Sequence, residues 1–236
     1  LAIRLTPPRW GELLDFYGGR KDLDQGLIRV LHSLSFVEDP TRILRAVRFE
    51  QRFDFQIEPR TEELIANALD LLERVSAERV RHELELILAE AEPERALSRL
   101  AEMGVLRILH PDLRCDAWFQ VKAAELRRQA ALIGAPETPQ MPRMELAADA
   151  MPRLTLAASL AEFAQKYHLR APYRRLLNEV SLLREKLPLL DRNSLKPSEI
   201  VALLDETSDE ARLALRVATD SWLVRQHLDH YQRRLR

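Results

Sequence analysis

Residues 35–55 read SFVEDPTRILRAVRFEQRFDF, and the fold turns on how this stretch is read. Asp39-Pro40 supplies a helix-capping carboxylate followed by proline at the first helical position, where a missing N–H costs nothing. The helix so started runs to about residue 53, where DFQIEP breaks it. Along it Asp39, Arg42, Arg45 and Arg48 recur every three residues as a slowly winding row, while Ile43 and Val47 fall on the far side. The stretch is therefore an amphipathic helix with an acidic residue at the head of a line of arginines.

Downstream the periodicity stays helical. Residues 61–74 carry Leu64, Ile65, Ala68, Leu71 and Leu72 on one face, and residues 76–91 carry Val80, Leu84, Ile87 and Leu88. Residues 94–103 form a further helix closed by Gly104, residues 105–109 a short turn, and residues 116–134 a helix with Trp118, Phe119, Val121 and Leu126 apolar. The stretch 134–153 is proline-rich and reads as a long loop or subdomain boundary. Further helices are expected at residues 154–167, 172–187, 197–205, 209–220 and 221–235, ending in the basic run Arg233-Arg234-Leu235-Arg236, a solvated helix end.

Upstream, residues 1–5 and 26–31 read as two strands joined by a loop that carries Gly18-Gly19. Two strands alone are marginal, so the rest of their sheet is expected before Leu1. The fold expected is thus mostly α: two terminal strands of a truncated sheet, then many helices. Residues 1–38 form the strand remnant, 39–115 a first helical unit and 116–236 a second.

Composition limits the function. The 236 residues include only 6 glycines, and the formal net charge is −1, so total charge draws in no polyanion and any basic site is local. Cys115 is the single cysteine, which excludes an intrachain disulfide or a cysteine metal cluster and fits a reducing cytosol. No apolar run reaches membrane-spanning length. The six histidines are scattered, and neither a Ser/His/Asp order nor a glycine-rich phosphate loop is present. Asp22-Leu23-Asp24 follows Gly18-Gly19 but reads as turn residues, since metal-binding carboxylates need a strand to fix them. Tyr167, Tyr173, Trp222 and Tyr231 fit core packing better than stacking on RNA.

Two readings of the arginine row fit its spacing. In one, Asp39 is a cap and the arginines are solvated or paired with Glu38 and Glu50. In the other, the Asp39 carboxylate accepts from the exocyclic amino group of cytosine or adenine while a neighbouring guanidinium donates to the adjacent ring nitrogen. Guanine and uracil present a carbonyl beside an N–H on that edge, so an Asp/Arg pair would leave buried groups unpaired against them.

The residues also carry a resemblance. EDPTRILRAVRFEQRF (38–53) looks like the EDxxR element of class II tRNA nucleotidyltransferases, a family that adds CCA, CC or A to tRNA and includes bacterial poly(A) polymerases. LLDFYGGRKDLDQGLIRVLH (13–32) resembles its strand–loop–strand motif with a Gly18-Gly19 hinge, and VSAERVRHELELIL (75–88) a third motif, all in family order. The resemblance implies that Asp39 and Arg42 pair with the incoming base, that Arg45, Arg48 and Arg29 lie along the nucleotide, that Glu38 supports the helix start, and that Arg79 and Glu83 hold the neck against this helix. It implies ATP and CTP as substrates, the tRNA 3′ end as partner, Mg2+ on residues of a missing upstream head, and a cytoplasmic enzyme whose neck is residues 39–115 and whose body and tail are 116–236. No catalytic residue and no metal ligand is assigned within this chain, which alone should be inactive. Homo-oligomerisation stays open, as do CCA against A-only or poly(A) addition and a non-catalytic RNA-binding or scaffold module.

Overall fold

A computed structural model describes residues 1–111, 113, 115–133 and 157–235, and these are mostly helical with two short two-stranded sheets. The expected pairing of the two N-terminal strands is corrected. Strand β1 (Ala2–Ile3) pairs antiparallel with β2 (Leu13–Leu14), because the chain turns back at Gly11 (φ 80) and Arg4 and Glu12 share a hydrogen bond. Strand β3 (Leu27–Ile28) instead pairs in parallel with β4 (Gln56–Ile57), drawn from the segment that sequence offers only as a helix breaker.

A second correction concerns Asp22-Leu23-Asp24, which lies in a short helix, α1 (Gly19–Asp24), and not in a turn. Gly18 takes the left-handed conformation that glycine reaches without a Cβ penalty, and the Asp15 carboxylate accepts from the amides of Gly19 and Arg20, each at 2.9 Å. Those two bonds satisfy helix-start donors that the sequence gives no other way to satisfy.

After α2 (Ser35–Glu38), Asp39 is extended and its carboxylate accepts from the amide of Thr41 at 3.1 Å, so it caps helix α3 (Arg42–Phe53) with Pro40 next in line. Asp54 closes α3 in the left-handed conformation. The inner face is apolar, with Ile43, Leu44 and Val47 fully buried. Its far end is pinned by buried Glu50, whose Oε1 accepts from the Ile57 amide at 3.2 Å and whose Oε2 accepts from Arg99 Nε at 3.1 Å. Arg99 reaches on to Glu62 at 2.7 Å, so one guanidinium ties α3 to the helix that carries Glu62.

The helix expected over residues 61–74 is divided into α4 (Pro59–Ala66) and a tighter 3-10 turn (Leu69–Arg74). Three residues per turn aligns Leu69 with Leu72, and this edge packs on α7 (Val105–Leu109). Between them lie α5 (Ala77–Leu88) and α6 (Pro93–Glu102). Then come α8 (Ala117–Ile133), α9 (Ala157–Lys166), α10 (Ala171–Leu190), α11 (Pro197–Leu204), α12 (Asp209–Ala218), α13 (Trp222–His230) and a closing π-helical turn (Tyr231–Leu235). Helix α10 passes through Pro188, where the expectation stops at residue 187. Proline here forgoes one bond near the end of the helix, and fully buried Leu190 holds the last turn inward. The proline-rich stretch 134–153 lies outside the described residues.

Two apolar cores result. The first runs from Phe36 through α3, α5 and α6 and also takes in Phe119, Leu126, Phe163 and Tyr167, so packing is continuous across residues 115–116. The second is built from Leu183, Leu190, Ile200, Leu204, Val224 and Leu228. Helix α3 packs on α6, α6 on α8, and α8 on α12.

Candidate functional site

The head of α3 brings Glu38, Asp39, Arg42 and Arg79 together. Thr41 donates its hydroxyl to Asp39 Oδ1 at 2.6 Å as well as its amide, and Arg79 Nη2, from α5, lies 2.7 Å from the same oxygen. Three donors converge on Oδ1, and Oδ2 stands outside that set. Burial works to raise the Asp39 pKa, but the Thr41 hydrogen bonds and Arg79 outweigh it and hold the carboxyl below its ordinary range. Asp39 is thus a carboxylate at neutral pH, fixed in rotamer and half-buried.

Arg42 is exposed, donates from Nη1 to the Ser35 carbonyl at 3.1 Å and lies 3.5 Å from Glu38. Glu38 in turn lies 3.6 Å from His32 and stays largely in solvent. Arg45 is also exposed, with its guanidinium 5.4 Å from the Phe49 ring centroid. Arg29 is exposed and pairs with Asp22 at 3.2 Å, which occupies one member of the Asp22-Leu23-Asp24 pair with a cation. Gly18 has open space around it, and Gly19 sits against Leu1.

Arg48 lies elsewhere. It is 7 % exposed, bonds Glu90 at 3.3 Å and faces Glu83 at 3.8 Å, with Glu90 also 3.6 Å from Arg52. A row stepping by three residues turns by about 60° per step on a 3.6-residue helix, so between Asp39 and Arg48 it swings by about 180°. The row therefore leaves the exposed face before its end. Glu90 is a residue that sequence reasoning missed, and its acidic charge two residues past α5 gave no periodic signal.

Of the aromatic residues considered, Tyr167, Tyr173 and Tyr231 are buried, while Trp222 is exposed, as is Val121 on α8. The Cys115 thiol is pushed up to about 12 by burial and by neighbouring Asp116, so it is no nucleophile at neutral pH. Among the described residues, no group of three or more His, Cys, Asp or Glu is placed to hold a metal ion, and no helix is long and apolar enough to cross a membrane.

Arg79→Ala removes a cation from Asp39 and should raise the carboxyl's titration midpoint, followed by carbon NMR of a side-chain-labelled sample. Because the folded pKa is depressed, the stability that Asp39 contributes is present above its unfolded pKa and is lost as pH falls through the folded one. In the variant that loss should begin at a higher pH; an unmoved midpoint would mean that Arg79 does not set the charge state.

Comparison with known proteins agrees with these motifs. Residues 54–116 match a family described as the probable RNA and SrmB-binding site of polymerase A. An A-adding tRNA nucleotidyltransferase of Geobacter sulfurreducens is 50% identical over 115 residues, covering 48% of this chain and 13% of that protein. Another from Halalkalibacterium halodurans is 44% identical over 116 residues, covering 46% of this chain and 26% of that protein. Among solved structures, a CCA-adding enzyme in complex with ATP aligns with a TM-score of 0.79 at 33% identity, over 98% of this chain and 57% of that one. The Thermotoga maritima CCA-adding enzyme complexed with tRNA aligns at 0.77 and 33%, over 98% and 56%. This chain thus spans little more than half of the solved relatives, and a smaller share of these two sequence relatives.

Proposed function

We infer that this chain belongs to the tRNA nucleotidyltransferases that build or complete the 3′ CCA end, and that it is the nucleotide-selecting neck and the body of such an enzyme. The observation that carries this reading is the arrangement at Asp39. Its Oδ1 is saturated by Thr41 and Arg79, so the carboxylate is immobilised with Oδ2 as the oxygen available to an incoming group. A fixed acceptor beside the donor-rich Arg42 matches the amino-and-ring-nitrogen edge shared by cytosine and adenine and mismatches guanine and uracil. Arg45 is on the exposed side of the same helix, where a triphosphate can meet it. Arg29 completes the cationic side, and Gly18 and Gly19 supply the hinge. Arg48 and Glu83 act from beneath as the joint between α3 and α5.

ATP and CTP are the substrates and the tRNA 3′ end the acceptor. Transfer needs a divalent metal to neutralise developing charge on the phosphates. The resemblance assigns Mg2+ to carboxylates upstream of Leu1, and the Asp22 pairing with Arg29 gives no fit to a second site here. A head region upstream also accounts for the exposure of Ile3, Trp10, Phe16 and Tyr17, each more than half open to solvent around the small sheet. The setting is cytoplasmic, with tRNA as the partner.

The test compares residues 1–236 with the longer protein that includes the upstream region, each given tRNA trimmed at its 3′ end, ATP, CTP and Mg2+. The longer protein should extend the tRNA with C or A, while the shorter one should bind a hydrophobic dye strongly and extend nothing. A folded longer protein that binds tRNA without extending it would turn the reading to a non-catalytic RNA-binding module.

A further inference from the structure

Helix α5 meets two parts of the molecule with two different polar faces. Arg79 and Glu83, four residues apart, turn toward α3, where Arg79 reaches Asp39 at 2.7 Å and Glu83 faces Arg48 at 3.8 Å. Glu78, Arg81 and Glu85 recur at steps of three and four and meet residues 167–170, the joint between α9 and α10. At about 100° per residue the two sets lie roughly 150° apart around the helix axis, one on either side of the buried row Val80, Ile87 and Leu88.

The joint is closed as a helix C-terminus. The amides of His168 and Leu169 donate back to the carbonyls of Gln165 and Ala164, at 3.2 and 3.0 Å, and His168 takes the left-handed conformation (φ 48) that glycine commonly fills at that place. Arg81 covers the outward carbonyls of this turn, donating from Nη1 to His168 at 2.5 Å and to Tyr167 at 3.5 Å. The flanking pairs, Glu78 with His168 and Glu85 with Arg170, each include a side chain more than half open to solvent, whereas the Arg81 side chain is 21 % exposed. Arg81 is therefore the least screened tie at the joint. Helix α10 starts there, gives Tyr173 and Leu177 to the first core, and runs on to give Leu183 and Leu190 to the second. Its direction sets where the second core stands relative to α3. We propose that Arg81 is a positioning residue for nucleotide transfer: by holding the joint it fixes the angle between the second core and the nucleotide site, and so aligns the RNA 3′ end with the nucleotide at Asp39. This rests on the tRNA reading above and adds to it a residue that acts through the fold.

The full-length protein is compared with Arg81→Met, which keeps an apolar stem and loses both donated bonds, and with Arg81→Lys, which keeps a cation at the carbonyls. Lys166 and Tyr167 still donate to the Leu109 carbonyl, each at 2.9 Å, so the joint stays folded in both variants. Nitroxide labels at the exposed positions 63 and 193 report the distance between the first and second cores. In Arg81→Met that distance distribution should broaden, and the single-turnover rate of adding A or C to trimmed tRNA should fall by about 10- to 100-fold, the scale on which a misplacement of about 1 Å acts. The affinities for ATP and tRNA and the preference for C and A should hold, and Arg81→Lys should recover part of the rate. An unchanged rate in Arg81→Met, whatever its Tm, would overturn the proposal, as would a lower rate with an unbroadened distance. Weaker tRNA binding with a shallower salt dependence would mark Arg81 as a phosphate contact and overturn it too. A wild-type protein that extends no tRNA would remove the tRNA reading and the positioning role with it.

Discussion

In the full-length protein, Asp39→Ala should cut the preference for C and A over G and U by about 10- to 100-fold in the ratio of kcat/KM values. The figure follows from about 1–3 kcal/mol of discrimination for a well-placed side-chain pair on a base edge. The same change removes the acceptor for the Thr41 amide, a capping loss of about 1 kcal/mol, so the Tm should fall by only about 2–4 °C. Selectivity and stability thus separate in size. Asp39→Asn sharpens the point, since an amide oxygen can still accept from Thr41 while its NH2 meets the base amino group donor to donor. It should keep the fold and lose the preference. Unaltered base choice in both variants would end the templating role, whatever their activity.

The second large effect concerns stability. Arg48→Met leaves buried Glu83 without its cation and Glu90 with Arg52 alone, and stranding a buried charge in this way costs about 3–5 kcal/mol. For a chain of this size that lowers Tm by roughly 6–20 °C. Arg45→Met, three residues earlier and exposed, should stay within about 0.5 kcal/mol of the parent while raising KM for the triphosphate. If instead Arg48→Met leaves Tm in place and raises that KM, the guanidinium abandons its two glutamates for the nucleotide, as the family resemblance implies.

The contrast between these two arginines marks how far the sequence is legible. Capping at Asp39 and the stop at Gly104 were readable because each depends on residues within a few positions, whereas residues 105–109, read as a short turn, form a helix. The turn of the arginine row was also readable by arithmetic, but which flank meets Glu83 and Glu90 depends on the packing of α5. Strand β4 was not readable: two residues carry no period, and their partner lies on the other side of α3. Helix α1 was hidden for a related reason, since its start is satisfied by Asp15 rather than by an adjacent cap. In the candidate site, the motifs named Asp39, Arg42 and Arg79, yet only the fold brings Thr41 and Arg79 onto a single carboxylate oxygen. Val121 reads as core from composition and lies exposed because Phe119 and Leu126 already define the inner face of α8.

The parallel pairing of Leu27 with Gln56 and Ile28 with Ile57 has a kinetic side. It staples the chain just before and just after α3, and closing such a loop of roughly 30 residues carries an entropic cost that adjacent helices do not pay. Contacts of this separation form after local helical ones, so the orientation of α3 is among the last features the folding chain acquires. If Asp39 templates the base as proposed, a nascent or damaged protein would hold secondary structure before it can tell one base from another, with discrimination the final property gained on folding and the first lost on local unfolding.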